Sequence, residues 1–337
     1  MGKRDLSSKA LLDNPEVVAD LLNYLLFDGK RRIKAAHVHV MDSEQTALVG
    51  RRVERRMRDR MRWISFMWKR RPVSFLFGIE IQAEVSHIMP VRVMLYDALG
   101  YMAEVEAVAA RHKAARDLSE PSEFLSGVRA LEKILGIVTA VVYFGKKPWD
   151  GSVALHGMLD TECAELKARI PNCFINLIDP HQMGNQELVK LRSELREIMA
   201  FIKYADNREQ LLRFIHTYSK GRKISGIAVD VINDYTKAGI KRIAPKEKIT
   251  MCQAAIDLRN EGELIGHRKG LKEGKKEGKK EGLKEGTEMT RLSNIRALAK
   301  TMHLSFEQAM IALRIPSKAR PRLLEILNGG NPGDAKT

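Results

Sequence analysis

The sequence predicts an α/β fold, with a core in α-β-β-β-α-β order, a helical accessory region behind it and a helical, glycine-periodic C-terminal tail. Three observations predict it. Two strand-like runs meet at the Lys69-Arg70-Arg71-Pro72 turn, an amphipathic helical pattern precedes them at 15–27, and a near-continuous β-branched and apolar run follows at 134–144. From about residue 184 the pattern changes to Leu-, Glu- and Arg-rich helices, which lead into glycines at every fourth position. With 337 residues, 44% of them hydrophobic, the chain suffices for one sizeable core and smaller appendages.

Residues 1–183 hold the predicted core. In its first helix Val17, Val18, Leu21, Leu22 and Leu25 form an apolar face, while Glu16, Asp20 and Asn23 share another at i, i+4, i+7 spacing. That polar face either delivers a further ligand to a site or simply faces water. His37-Val38-His39 lies in a short alternating run that serves as a first strand; no third ligand at metal-site spacing accompanies the two imidazoles. After the two strands around the 69–72 turn, Pro90 suits the first turn of a helix. That helix sets Arg92 and Tyr96 one turn apart on one face. The run at 134–144 has the character of a strand buried on both faces, hence a central or parallel member of the sheet. Gly145 to Gly151 reads as a loop, and Phe174 to Ile178 as a further strand before Asp179-Pro180. The accessory region, 184–261, carries helical patterns at 186–205, 207–219, 227–237 and 250–265.

The densest chemistry lies in the paired strands. Asp59 opens one of them and Glu80-Ile81-Gln82 closes the next. Strand side chains alternate between faces, so Glu80 and Gln82 project to one side and Ile79 and Ile81 to the other. The turn between the strands brings Asp59 beside the first pair. Mg²⁺ prefers hard oxygen ligands and keeps several waters, so one or two carboxylates and a substrate phosphate complete its shell. Asp59 and Glu80 would hold Mg²⁺ or Mn²⁺, which polarises the phosphate and lowers the pKa of a bound water. Gln82, whose carboxamide does not titrate, would orient the water or the phosphate.

Arg58-Asp59, then Ile79-Glu80-Ile81-Gln82-Ala83-Glu84, then the run from Met89-Pro90 through Arg92, Tyr96 and Asp97 to Tyr101 resemble the Rpn-like, transposase-associated branch of the PD-(D/E)XK nuclease superfamily. Asn14 to Asn23 before them and Val141 to Gly151 after them extend the resemblance over about the first 180 residues. It implies a restriction-endonuclease-like core and a DNA endonuclease connected with recombination or mobile elements. It implies Asp59, Glu80 and Gln82 as catalytic residues, with Asp59 and Glu80 on the metal and Asp20, Asn23, Arg92 and Tyr96 in support. Arg92 either binds phosphate directly or anchors the carboxylate of Glu80 or Glu84. The superfamily's third motif usually ends in Lys, whereas Gln82 stands there in this chain, and this removes a cation from the attacking water or phosphate. A chain that keeps the fold and binds nucleic acid or oligomerises without cutting is the alternative.

Charge agrees with a polyanionic partner. Lys and Arg total 58 against 42 Asp and Glu, a formal net charge of +16. Residues 51–71 hold ten basic residues against two acids and surround Asp59. Arg55, Arg56, Arg58, Arg60 and Arg62 are therefore the expected DNA contacts, with an affinity that falls steeply with salt. A solvated charged helix leading into a strand is the plainer account of such a run. Three cysteines, Cys163, Cys173 and Cys252, form no even framework and no C-x-x-C pair, which fits free thiols in a reducing compartment. With no apolar leader at the start and no apolar run near the ~20 residues of a bilayer span, the cytoplasm is the expected location and no membrane partner is expected.

Gly262, Gly266, Gly270, Gly274, Gly278, Gly282 and Gly286 repeat at a strict period of four among Lys and Glu. Each glycine costs a helix interior roughly 0.8–1 kcal/mol relative to alanine. The pairs Glu273–Lys276, Glu277–Lys280 and Glu281–Lys284 return only a few tenths each. Residues 262–288 are therefore expected to be a linker or a self-associating helix that forms against a partner, making a homo-oligomer. A period of four drifts about 40° per repeat around the axis and would favour right-handed crossing of a close neighbour. No G-x-x-x-x-G-K-[ST] can be aligned with these repeats, so they are not a phosphate-binding loop. Residues 289–328 read as a helical hairpin, with Ser305 as N-cap and Pro316 as a stop, and 329–337 as a disordered tail.

Overall fold

The computed structural model describes residues 3–40 and 60–329, which divide into two compact units at Glu261/Gly262. In the first, helix α1 (Lys3–Leu12) leads into α2 (Pro15–Phe27). Asn14 caps α2 by accepting from the Glu16 amide at 3.0 Å, and Pro15 occupies the first turn, where no backbone N–H is needed. The chain leaves α2 through Asp28 and Gly29, both at positive φ, with Gly29 so close to Lys190 that a Cβ would lie 2.7 Å from that side chain.

Strands β1 (Val38–Val40), β2 (Arg60–Trp68) and β3 (Arg71–Gln82) run antiparallel in order. The expected turn is a two-residue hairpin loop with Lys69 and Arg70 both left-handed, at φ 47° and 64°, the geometry that matches strand twist. Helix α3 (Met89–Ala115) begins with Pro90 in its first turn, as its sequence predicts. After the short α4 (Pro121–Ser126), β4 (Gly136–Tyr143) enters parallel to β3, and β5 (Asn176–Ile178) lies parallel to β4. The five-stranded mixed sheet has the order β1-β2-β3-β4-β5, and the apolar run at 134–144 is an internal parallel member as expected.

Alternation divides the sheet into two faces. Phe75, Phe77 and Ile79 of β3 and Ala140 and Val142 of β4 join Val17, Val18, Leu21 and Leu22 of α2 in the main core. Val141 and Tyr143 pack on the other side with Met89 and Val93 of α3, Trp149 and Ile175. The 184–261 region supplies α5 (Asn185–Lys190), α6 (Leu195–Lys203), α7 (Arg208–Phe214), and α8 (Gly226–Thr236), with β6 (Lys223–Ser225) and β7 (Lys248–Thr250) paired beside them. These helices cover the sheet, because Leu195, Ile198, Phe201, Val229 and Ile232 belong to the same buried cluster as Ile79.

The pattern at 186–205 is two helices, broken at 191–194, where the sequence suggests one. The Asp20 carboxylate accepts from the amides of Arg192 and Ser193 at 2.8–2.9 Å and from the Ser193 hydroxyl at 2.7 Å. Two amides that an uninterrupted helix would bond along its axis are turned to a carboxylate on α2.

The segment after α3 returns onto that helix and is fixed by one imidazole. His112 bonds Asp117 at 2.7 Å through Nδ1 and Glu132 at 3.0 Å through Nε2, with Arg129 also on Asp117. The Asp117 and Glu132 carboxylates, accepting from the ring, raise the His112 pKa above its ordinary value of 6.5. A group raised on folding stabilises fully below its unfolded pKa and loses that contribution as pH rises through the folded value. His112→Gln should therefore lower the thermal midpoint at pH 6, and this gap should close by pH 9. An equal gap at both pH values would show that the imidazole charge does not hold the segment.

Helix α9 (Met251–Met302) is continuous through all seven periodic glycines, so residues 262–288 are helix rather than linker. A Cβ built at Gly266, Gly270, Gly274, Gly278, Gly282 or Gly286 would meet nothing within 4 Å. These six glycines thus have no close neighbour among the described residues of the kind expected from their period. Gly270→Ala with Gly274→Ala and Gly278→Ala should add roughly 2–3 kcal/mol to helix stability. Far-UV circular dichroism during melting checks this as a rise in the helical signal and in its midpoint.

The second unit ends in more than a hairpin. Ser305 caps α10 (Phe306–Ala312) in a capping box with Gln308, as expected. After Pro316 a third helix, α11 (Arg320–Leu327), begins with Pro321 in its first turn. Pro316 stops one helix and Pro321 starts the next. Ile295, Ala299, Ala309, Met310, Ile315, Leu323 and Leu327 form a buried cluster of their own, so the third helix completes a small core that two helices could not close.

Candidate active site

Glu80 sits near the C-terminal end of β3 and is 2% exposed. It pairs across the sheet with Val141 of β4, and Gln82 pairs with Tyr143. Alternation therefore puts Glu80 and Gln82 on the face covered by α3, while Ile79 and Ile81 pack into the main core on the other. The expected separation of these four side chains is met.

Helix α3 brings Arg92 to that face. The Arg92 guanidinium donates to Glu80 Oε2 at 3.3 Å and to the Tyr96 hydroxyl at 3.0 Å, and lies over the Tyr96 ring at 5.6 Å. Spacing left Arg92 a choice between phosphate, Glu80 and Glu84; the contact is with Glu80. Tyr96 in turn fixes the guanidinium through its i+4 position. Glu80, Arg92 and Tyr96 are thus one linked set, and Gln82 shares its face.

Asp59, with Arg55, Arg56 and Arg58, lies outside the described residues. Arg60, the next residue in the chain after Asp59, pairs with Ile79 in the β2–β3 register. Its guanidinium makes two bonds to Asp13, at 2.7 and 2.9 Å. Arg62 is 6% exposed and bonds Asp13 at 2.8 Å and the Leu12 carbonyl. Burial alone would raise the Asp13 pKa, but the hydrogen bonds and charges of Arg60 and Arg62 hold it below the ordinary carboxylate value. Both arginines thus tie β2 to the end of α1, and the buried Arg62 has little surface to offer a phosphate.

Asp20 and Asn23 are buried rather than on a solvated helix face. Asp20 binds the 192–193 backbone as described. The Asn23 amide donates to the Ile33 carbonyl at 2.7 Å while its oxygen accepts from the Arg32 and Ile33 amides at 2.8 Å. Their described bonds go to chain segments that each must anchor, and not to Glu80. A buried polar side chain with all its groups engaged by backbone is an architectural tie.

Two further polar groups on this side escaped the sequence reading. Thr139 of β4 donates to Asp97 of α3 at 2.7 Å, fixing the helix over the sheet one turn beyond Arg92. The buried Tyr143 shares its face with Gln82, and its pKa is raised by burial and then by Asp179, Glu84 and Asp150. It stays a neutral phenol. Alternation within 136–143 would have put Tyr143 in phase with Val141; only the β3–β4 register sets it opposite Gln82.

The donor chemistry suits a hard divalent cation, since Glu80 and Gln82 offer carboxylate and amide oxygens on one face. Among the described residues no group of three or more His, Cys, Asp or Glu side chains is placed to hold a metal ion, and no helix is long and apolar enough to cross a membrane. Comparison with protein-family models, curated proteins and solved structures gives no match for this chain.

Proposed function

We propose that this chain is a metal-dependent DNA endonuclease of the PD-(D/E)XK type, on the Rpn-like, transposase-associated branch, with residues 1–183 as its restriction-endonuclease-like core. The observation that carries the reading is the buried Glu80, in phase with Gln82 on an internal strand and bonded to Arg92 of the following helix. The α-β-β-β-α-β order and the parallel β3–β4 pair support it. Glu80 together with Asp59 would hold Mg²⁺ or Mn²⁺, which when bound supplies Lewis-acid polarisation of a phosphate and a more acidic water. Gln82 orients the attacking water or the phosphate by hydrogen bonds. Arg92 fixes the rotamer of the Glu80 carboxylate and, once that carboxylate is shared, can turn its free N–H groups to a phosphate.

A second reading keeps nucleic-acid binding and loses cutting. It is favoured by one specific feature: position 82, in phase with Glu80 on β3, carries an uncharged carboxamide. Incubation of the purified chain with supercoiled plasmid in Mg²⁺, Mn²⁺ or EDTA separates the two. Metal-dependent nicked or linear product is expected. Retarded but uncut plasmid in every condition would establish the binding reading instead.

A further inference from the structure

Helix α3 is apolar on two opposite faces; among the described residues one packs on the sheet, and the other is largely exposed, with the Tyr101 hydroxyl at its edge accepting from the Ile137 amide at 3.2 Å. Met89, Val93, Tyr96, Gly100 and Ala103 face the sheet and are buried. Val91, Met94, Leu95, Ala98, Tyr101, Met102 and Val105 follow i, i+3, i+4, i+7 spacing on the outer face, the pattern of a helix packed in a bundle. Six of these seven are exposed, Leu95 to 48% and Met102 to 56%. The same stripe continues to Ala109 and His112, where the chain covers it: Gly127 lies against Ala109, and Asp117 and Glu132 hold His112. Among the described residues the outer face is therefore covered at its C-terminal end and exposed for the four turns before it, the Tyr101 hydroxyl apart.

The geometry points to a second copy of this chain as the occupant, the two outer faces of α3 packing against each other in a symmetric dimer. The spacing is self-complementary, since knobs at such positions fit holes made by the same positions on an identical helix. Among the described side chains the long α9 offers no matching stripe: its exposed Ile256, Leu271, Leu283, Met289 and Met302 stand fifteen, twelve, six and thirteen residues apart. Charge permits the pairing even though the chain as a whole carries +16. No charged residue interrupts the outer stripe from Val91 to Val105, and the nearby Arg92 and Asp97 are bonded inward to Glu80 and Thr139. Glu104 and Glu106 flank it, an acidic border that disfavours an anionic lipid surface. The seven side chains expose on the order of 500 Å², at the upper end for a monomer's largest apolar patch. A stable pair needs about 800 Å² from each partner. Phe124, exposed to 66% at the covered end, extends the patch toward that figure; it lines a cavity there with Ala109, Ala110 and His112, at whose rim stand Lys113 and Arg116. This dimer holds whether or not the chain cuts DNA.

Sedimentation velocity of the full-length chain, from low to high micromolar concentration, tests it. The wild type should sediment at twice the 38.1 kDa chain mass, and Leu95→Glu with Met102→Glu should halve that mass without moving the circular-dichroism spectrum. Should the double variant misfold, Ala98→Glu, a single change on the same exposed face, replaces it with the same expected halving. A wild type that stays monomeric overturns the inference, also where it pellets with phosphatidylserine vesicles. A variant that stays folded and dimeric overturns it too and moves the contact elsewhere, to the glycine stripe of α9 for example.

Discussion

Glu80→Gln protein is expected to leave supercoiled plasmid intact under conditions in which the wild type nicks it, with the cutting rate lowered about 10³-fold. The size follows from removing a metal-ligand charge worth several kcal/mol of transition-state stabilisation, at 1.4 kcal/mol per factor of ten. The substitution preserves shape and leaves an amide oxygen for Arg92, whose side chain is 31% exposed and can be solvated. No buried charge is therefore stranded, and the fold should survive. A gel time course with Mg²⁺, read beside a melting curve, checks both halves. Undiminished cutting by a folded Glu80→Gln protein would remove β3 from the chemistry and with it the proposed nuclease site.

Asp20→Ala is expected to do the opposite, unfolding the protein more readily while leaving the rate per folded molecule unchanged. Asp20 is 7% exposed and satisfies the Arg192 and Ser193 amides and the Ser193 hydroxyl. Truncation leaves these donors unpaired where the chain breaks between α5 and α6, at a cost of about 3 kcal/mol. In a unit of this size that amounts to a fall in melting temperature of roughly 6–12 °C. Calorimetry and a plasmid assay well below the transition decide the matter. An unchanged midpoint with abolished cutting would make Asp20 a ligand of the metal rather than an anchor of the 191–194 turn.

These two carboxylates illustrate how far the sequence could be read. Glu80 was legible because alternation in a strand is local: once β3 is a strand, Glu80 and Gln82 share a face whatever lies around them. The contact with Arg92 was legible as one of three choices, since the Pro90 helix start fixes the phase of Arg92 but not which acid lies beneath it. Asp20 was legible only as a polar position on α2. Its partner lies 172 residues away, and the spacing that offered it to a metal serves equally well for a buried anchor. Arg62 shows the same limit: within a basic run it reads as a phosphate contact, yet Asp13 and the Leu12 carbonyl take its guanidinium out of solvent.

Sequence by itself determined the kind and phase of the elements, from the capped α2 through the 69–72 turn and the Pro90 start of α3 to the Ser305 cap. Backbone dihedrals, caps and near-neighbour spacing are properties of a few consecutive residues. Only the tertiary structure decided which of the two apolar faces of α3 meets the sheet, where the helix pattern at 186–205 breaks, and that α9 runs unbroken through its glycines. It decided as well that a third helix closes the second unit around Ile295 and Met310. Burial and hydrogen-bond pairing depend on which distant groups the packed chain brings within about 3 Å, and a buried donor or acceptor must take whichever partner arrives.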